Sequence, residues 1–231
     1  MTSLRITSVI IFLSLCLTSS IKAQQNKFDI GVEGGPGVSQ FRGDYSLSFQ
    51  PILAGAAGVT FQYNFPKIIS IRTCLDYERL GWKDYYTGWF PLPPTYGSVS
   101  TMNRFDYLTF PILAQASFGK KIRVFFNAGA HISYDLRSGY FQNFDISGMS
   151  STRYLDMTDY YKQFDFGISF GAGIEVPIKK QLAFTFEARN NIGLLNISNG
   201  REYAGLPYNG ETYTCVFLAG FKYKLGMRSK S

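Results

Sequence analysis

Charge is scarce in this sequence. Of its 231 residues 17% are charged, against about 25% in an average soluble domain. There is one histidine, His131, and there are three cysteines, so neither a disulfide-stapled scaffold nor a clustered His/Cys metal site is on offer. No HExxH and no glycine-rich phosphate loop occurs. Also missing is any later apolar run near the ~20 residues that a membrane-crossing helix needs; each is broken within a few residues by Gly, Asn or Pro. The formal charge is +7, yet no basic run is longer than a pair, which excludes the concentrated basic face that nucleic acid requires.

What the chain does have begins with an export signal. Residues 1–23 carry Arg5 near the start, an apolar run from Val9 to Leu17 and a polar stretch ending in Ala23. That run is too short to span a bilayer and reads as a signal peptide cleaved after Ala23, leaving a single domain over 24–231. Leu15 before Cys16 is too bulky for a lipoprotein signal. Cleavage removes Arg5 and Lys22, which lowers the charge from +7 to +5, and it leaves two cysteines, Cys74 and Cys215.

Aromatic residues are abundant, at 17%, and they fall in a pattern. From Phe164 to Val176, Phe164, Phe166, Ile168, Phe170, Ala172, Ile174 and Val176 alternate with Asp165, Gly167, Ser169, Gly171, Gly173 and Glu175. Side chains of a strand point alternately to opposite faces, so one face is oily and the other small or ionic. A soluble sheet would show long polar side chains on its wet face. Small residues suit a crowded lumen, and large apolar ones facing outward are rewarded only by lipid. The pattern recurs at about 28–37, 52–63, 69–80, 105–118, 122–136, 182–195 and 213–225. Tight turns at 64–68, 119–121 and 177–181 alternate with long connections at 39–51, 81–104, 138–162 and 196–212. The expected fold is all-β: an eight-stranded antiparallel up-and-down transmembrane β-barrel, its narrow interior filled by side chains. Pro111 falls inside the fourth strand and donates no ladder bond, so a bulge or local disruption is expected there. The strand parities send Cys74 inward and Cys215 outward on non-adjacent strands, which predicts two free thiols.

Parity also assigns the charges. Glu33, Asp76, Glu175 and Glu187 point inward, as do Arg72, Arg123, Arg189 and Lys222, four of each sign. Buried charges are tolerated when paired, so these eight are expected to form a salt-bridge plug. His131, Ser133 and Asp135 share the inward face, but residues spaced by two along one strand spread over about 13 Å, too far for a catalytic relay. The stretch 81–98 holds both tryptophans, and Trp82, Tyr85, Tyr86, Trp89, Phe90 and Tyr96 make a candidate loop-binding surface, since stiff aromatic side chains lose little entropy on contact. Trp82, Tyr85 and Tyr86 could equally extend an interfacial aromatic girdle. A second aromatic group, Tyr140, Phe141, Phe144, Tyr154, Tyr160 and Tyr161, falls in the third long connection.

Short stretches carry a family likeness: the signal ending Lys22-Ala23-Gln24, Tyr107-Leu108-Thr109-Phe110-Pro111-Ile112-Leu113, Phe164-Asp165-Phe166-Gly167 with Gly171-Ala172-Gly173, and Phe184 to Arg189. In these the chain resembles the small Bacteroidetes-type outer-membrane β-barrel proteins, the PorT-like family. The resemblance implies residence in the outer membrane of a Gram-negative bacterium and no cofactor, and one named branch takes part in type IX secretion and gliding. The sequence departs from the pattern at Thr109, often acidic in such proteins, and in its tail Lys224-Leu225-Gly226-Met227-Arg228-Ser229-Lys230-Ser231. The expected function is that of a non-enzymatic barrel whose outer loops bind a partner, another envelope or secreted protein, while its belt contacts outer-membrane lipid. The competing readings are an outer-membrane lipid-modifying enzyme, a small pore and a soluble lipocalin-type barrel.

Overall fold

The computed structural model describes residues 27–43, 49–66, 68–86, 97–146, 149–198 and 210–225. The expected signal peptide, Cys16 and the tail beyond Leu225 lie outside them. Nine strands follow in order: β1 (Phe28–Gly43), β2 (Phe49–Asn64), β3 (Ile69–Tyr86), β4 (Gly97–Phe118), β5 (Arg123–Ile146), β6 (Met149–Asp156), β7 (Phe164–Pro177), β8 (Leu182–Gly193) and β9 (Gly210–Leu225). Every strand pairing is antiparallel. Chain neighbours pair from β1 to β5, β5 passes over β6 to pair with β7, and the series continues through β8 to β9. Pairing of β9 with β1, from Phe28↔Leu225 to Gly43↔Gly210, closes an eight-stranded ring. β6 stands outside the ring as a hairpin arm on the far end of β5, from Gly139↔Asp156 to Ile146↔Met149. Closure leaves the ring no free edge, so its backbone groups are satisfied without water.

The outer surface is a belt of large apolar side chains. Phe28, Ile30, Val59, Phe61, Ile71, Leu75, Phe110, Ile112, Phe126, Phe166, Phe170, Phe186, Phe217 and Phe221 are all exposed. A patch of that extent would aggregate in water and is at ease only in hydrocarbon. The other parity is buried and mostly polar: Asp29, Gln62, Arg72, Asp76, Asn127, Ser169, Glu175, Glu187 and Arg189 all point in. A lipocalin-type arrangement, with the apolar face inside, is excluded by this inversion.

At one end the connections are tight. Ile178 N–H donates to the Leu182 carbonyl at 2.8 Å, and Phe65 N–H donates to that of Ile69 at 3.0 Å. Gly119 turns at φ +109°, a conformation that a side chain would strain. At the other end the strands run on into stretches that the sequence pattern marked as loops. β4 begins at Gly97 rather than near 105, and β5 continues to Ile146 rather than 136. Beyond the apolar belt no lipid rewards an oily outer face, so alternation fades while backbone pairing persists.

Pro111 is buried and stays in register opposite His131. On its other side the β3–β4 pairing skips Cys74 and Leu75 and resumes at Asp76↔Thr109 without a shift, so the expected irregularity there is a local lapse. The bulge itself is at Asp106/Tyr107, where β5 carries Leu136 as an extra residue between Asp135 and Arg137. Both cysteines among the described residues are free, Cys74 buried and Cys215 half-buried on the outer side.

Candidate functional site

The interior is built in levels, because neighbouring strands set inward residues of distant sequence at one height. The central level gathers five charges from three strands, β1, β3 and β8. Arg189 reaches Glu33 at 2.7 Å, Asp76 at 3.0 Å and Glu187 at 2.8 Å. Arg72 reaches Glu187 at 2.6 Å and pairs with the other oxygen of Glu33. Asn127 donates to Glu187 at 3.0 Å, and the Arg72 guanidinium lies 6.0 Å from the centre of the Phe125 ring. Toward the tight turns a second level centres on Glu175, which pairs with Lys222, with Lys224 at 3.0 Å and with Arg123 at 3.5 Å. Lys222 also approaches Asp29 at 3.8 Å and donates to Gln62 at 3.2 Å. The eight charges picked out by parity thus fall into two groups, five and three. Parity counting left out Asp29, Glu78 and Lys224, which point the same way.

Toward the loop end the polar residues form a directed chain. Glu78 accepts from Thr109 at 3.1 Å and from the Asn191 amide nitrogen at 2.7 Å. The Asn191 oxygen therefore faces Ser169, which donates to it at 2.8 Å. Ser169 has spent its one proton, so its contact with His131 Nδ1 at 2.8 Å must be a bond that the imidazole donates. His131 thus pairs with Ser169 of β7, not with Ser133, which bonds Thr109 at 2.9 Å. An imidazole that donates to a serine cannot take that serine's proton, as a nucleophile–base pair requires.

Above this chain the lumen is closed by an aromatic plug of Phe41, Leu80, Trp82, Phe105, Tyr107 and Ile197, with Tyr161 packed against it. The Phe41 and Trp82 rings are 4.3 Å apart, Trp82 stacks on Phe105 at 5.2 Å, and Phe105 meets Tyr161 at 4.7 Å. The assignment of Trp82 to an outer binding surface or girdle is corrected here: only 3% of the residue is exposed. The inward parity of β3, carried two residues past Leu80, delivers it to the plug. For Tyr85 and Tyr86 the structure gives the strand backbone alone, and Trp89, Phe90 and Tyr96 lie outside the described residues.

Among the described residues, Glu33, Cys74 and Asp76 bring three ligand atoms within 4.8 Å of one another. Both carboxylates already accept from arginines, so a cation would have to displace a guanidinium, and the trio does not fit a metal. A lumenal cavity of about 10 Å³ beside Arg72, Gln115 and Lys222 has room for about one water.

A family model described as outer membrane protein beta-barrel domain matches residues 22–199. The chain belongs to that family. Outer-membrane β-barrels solved elsewhere have a similar course. Neisserial surface protein A is 11% identical, with a TM-score of 0.44 over 86% of this chain and 97% of that one. OprG from Pseudomonas aeruginosa is 11% identical, with 0.43 over 87% and 97%. Ail, the attachment invasion locus protein of Yersinia pestis, is 10% identical, with 0.39 over 85% and 99%. No curated protein matches the chain in sequence.

This outer-membrane barrel leaves its inner wall little slack. A Cβ added at Gly171 would sit 2.7 Å from Glu187 Oε1 and 2.8 Å from Asn127 Oδ1, two atoms held in the central level. Gly171→Val is therefore expected to destabilise the barrel by about 1–3 kcal/mol. The measurement is the urea midpoint of refolded protein in vesicles, and an unchanged midpoint would show that the network can yield.

Proposed function

We propose that the protein is a closed, non-enzymatic scaffold of the outer membrane, whose loop-bearing end presents a binding surface to another envelope or secreted protein. What carries this reading is the way the interior is spent. Among the described residues two ionic levels, a hydrogen-bonded chain and an aromatic plug fill the bore, while strands β3 to β6 extend past the apolar belt. A lipid-modifying enzyme is disfavoured by His131, whose Nδ1 proton is committed to Ser169. A small pore is disfavoured by the same filling.

Two measurements test it. Planar-bilayer recording of the refolded barrel should show no steady conductance; reproducible unitary steps would instead establish a pore. Photo-crosslinkers placed in intact cells at Trp89, between β3 and β4 in sequence, and at Thr152, on the β6 arm, should capture one discrete protein species from the loop side. The same probe at Ile178, in a tight turn, should not capture it. Equal capture from both ends would remove the loop-binding reading.

A further inference from the structure

We propose that the loop-side rim of β3, β4 and β5 is a binding site for the phosphate groups of outer-leaflet lipid, with Arg104 and Arg137 as its anchors. The bulge at Leu136 shifts the parity of β5, and from there on Arg137, Gly139 and Phe141 fall on the outer face. Pairing sets Arg79, Asp106 and Arg137 side by side on three strands, and two residues further out it sets Gly81, Arg104 and Gly139 side by side. Directly below lies the lipid-facing row Tyr77, Leu108 and Tyr134, all exposed. Two strand residues advance about 7 Å. The basic rows therefore stand where hydrocarbon gives way to headgroups.

Aromatic faces prepare both guanidiniums. Arg104 lies 4.6 Å from the centre of the Phe141 ring and Arg137 lies 5.0 Å from that of Tyr154. The two rings are themselves 5.1 Å apart, and Arg137 Nε donates to the Tyr154 hydroxyl at 2.9 Å. Stacking holds a planar guanidinium by its face and leaves N–H groups on its edge for a fork-like bond to phosphate. The nearby acids are engaged elsewhere: Asp106 pairs with Arg79 at 2.7 Å, and Asp156 accepts from the Thr158 amide and hydroxyl. Those two bonds hold the Asp156 carboxyl below its usual range. Among the described residues neither Arg104 nor Arg137 has a carboxylate within ion-pair distance. Positive charge at headgroup height, next to an apolar belt, complements a phosphorylated lipid rather than a soluble anion, because the acyl chains would lie along that belt.

The test uses the full mature barrel in nanodiscs of phosphatidylcholine containing a small fraction of lipid A or of its dephosphorylated form, with lipid retention read by native mass spectrometry. Wild-type protein should retain the phosphorylated form at least about tenfold more than the dephosphorylated one. Arg104→Ala with Arg137→Ala should reduce that retention by roughly 30-fold. If the alanine pair does not fold, Arg104→Gln with Arg137→Gln carries the same expectation. Equal retention of the two lipid forms, or full retention by a folded double variant, would overturn the site. Complete displacement of lipid A by inorganic phosphate would also overturn it, as it would mark a general anion site.

Discussion

Replacing Arg189 with methionine is expected to cost the barrel about 3–5 kcal/mol. The number follows from what the side chain neutralises. In the central level three carboxylates, Glu33, Asp76 and Glu187, face two guanidiniums, and Arg189 contacts all three acids. Arg72 bonds only Glu33 and Glu187. Without Arg189, Asp76 keeps no basic partner and the other two share one. The methionine fills most of the volume, so the loss is electrostatic and not a cavity effect. Since a whole domain is stable by only about 5–15 kcal/mol, much of the protein should be unfolded in moderate urea. The check is the midpoint of heat-modifiable gel migration or of urea unfolding in vesicles. Adding Asp76→Asn to Arg189→Met removes the acid left alone and should recover about 1–2 kcal/mol. If the double variant is as unstable as the single one, charge balance is not what Arg189 supplies.

The transmembrane part of this architecture was legible because lipid enforces a simple rule on each residue. Phe166 and Phe170 must be outside if Gly167, Ser169 and Gly171 are inside, and the same parity carried Glu187 and Arg189 inward. The rule weakens where lipid stops. Residues 97–104 have no oily face, and in 139–146 the aromatic residues Tyr140, Phe141 and Phe144 fall on both parities, so both stretches read as loop, yet they pair as strands. Trp82 was readable in principle, since the parity of residues 69–80 continues unbroken to it; taking the strand to end at Leu80 hid the signal. Leu136 shows the opposite case. An extra residue in β5 reverses parity beyond it and turns Arg137 and Phe141 outward, and no local pattern announces a bulge. Nor could the sequence say that Arg189 meets Glu33, 156 positions away. Which inward residues share a level depends on the stagger of the closed sheet, a property of the whole ring and not of any strand.

The aromatic plug and the ionic levels are two seals in series, and substituting Trp82 separates their roles. Trp82 packs between Phe41 and Phe105 with almost no exposure, so Trp82→Ala should lower stability by about 3–5 kcal/mol through lost contacts and an unfilled cavity. Conductance should nonetheless stay at zero. The plug is the outer seal, and an ion passing it would still meet the hydrogen-bonded chain at Glu78 and Asn191 and then the bonded charges around Arg189. Trp82→Phe keeps the ring stacking and should cost a good deal less. The pair of measurements also discriminates between two roles for this side chain. A tryptophan on a loop-binding surface would leave stability unchanged on truncation and weaken partner capture at Trp89; a tryptophan in the plug does the reverse. Steady current through the folded alanine variant would mean that the levels beneath do not seal, and that closure of the barrel rests on the aromatic layer alone.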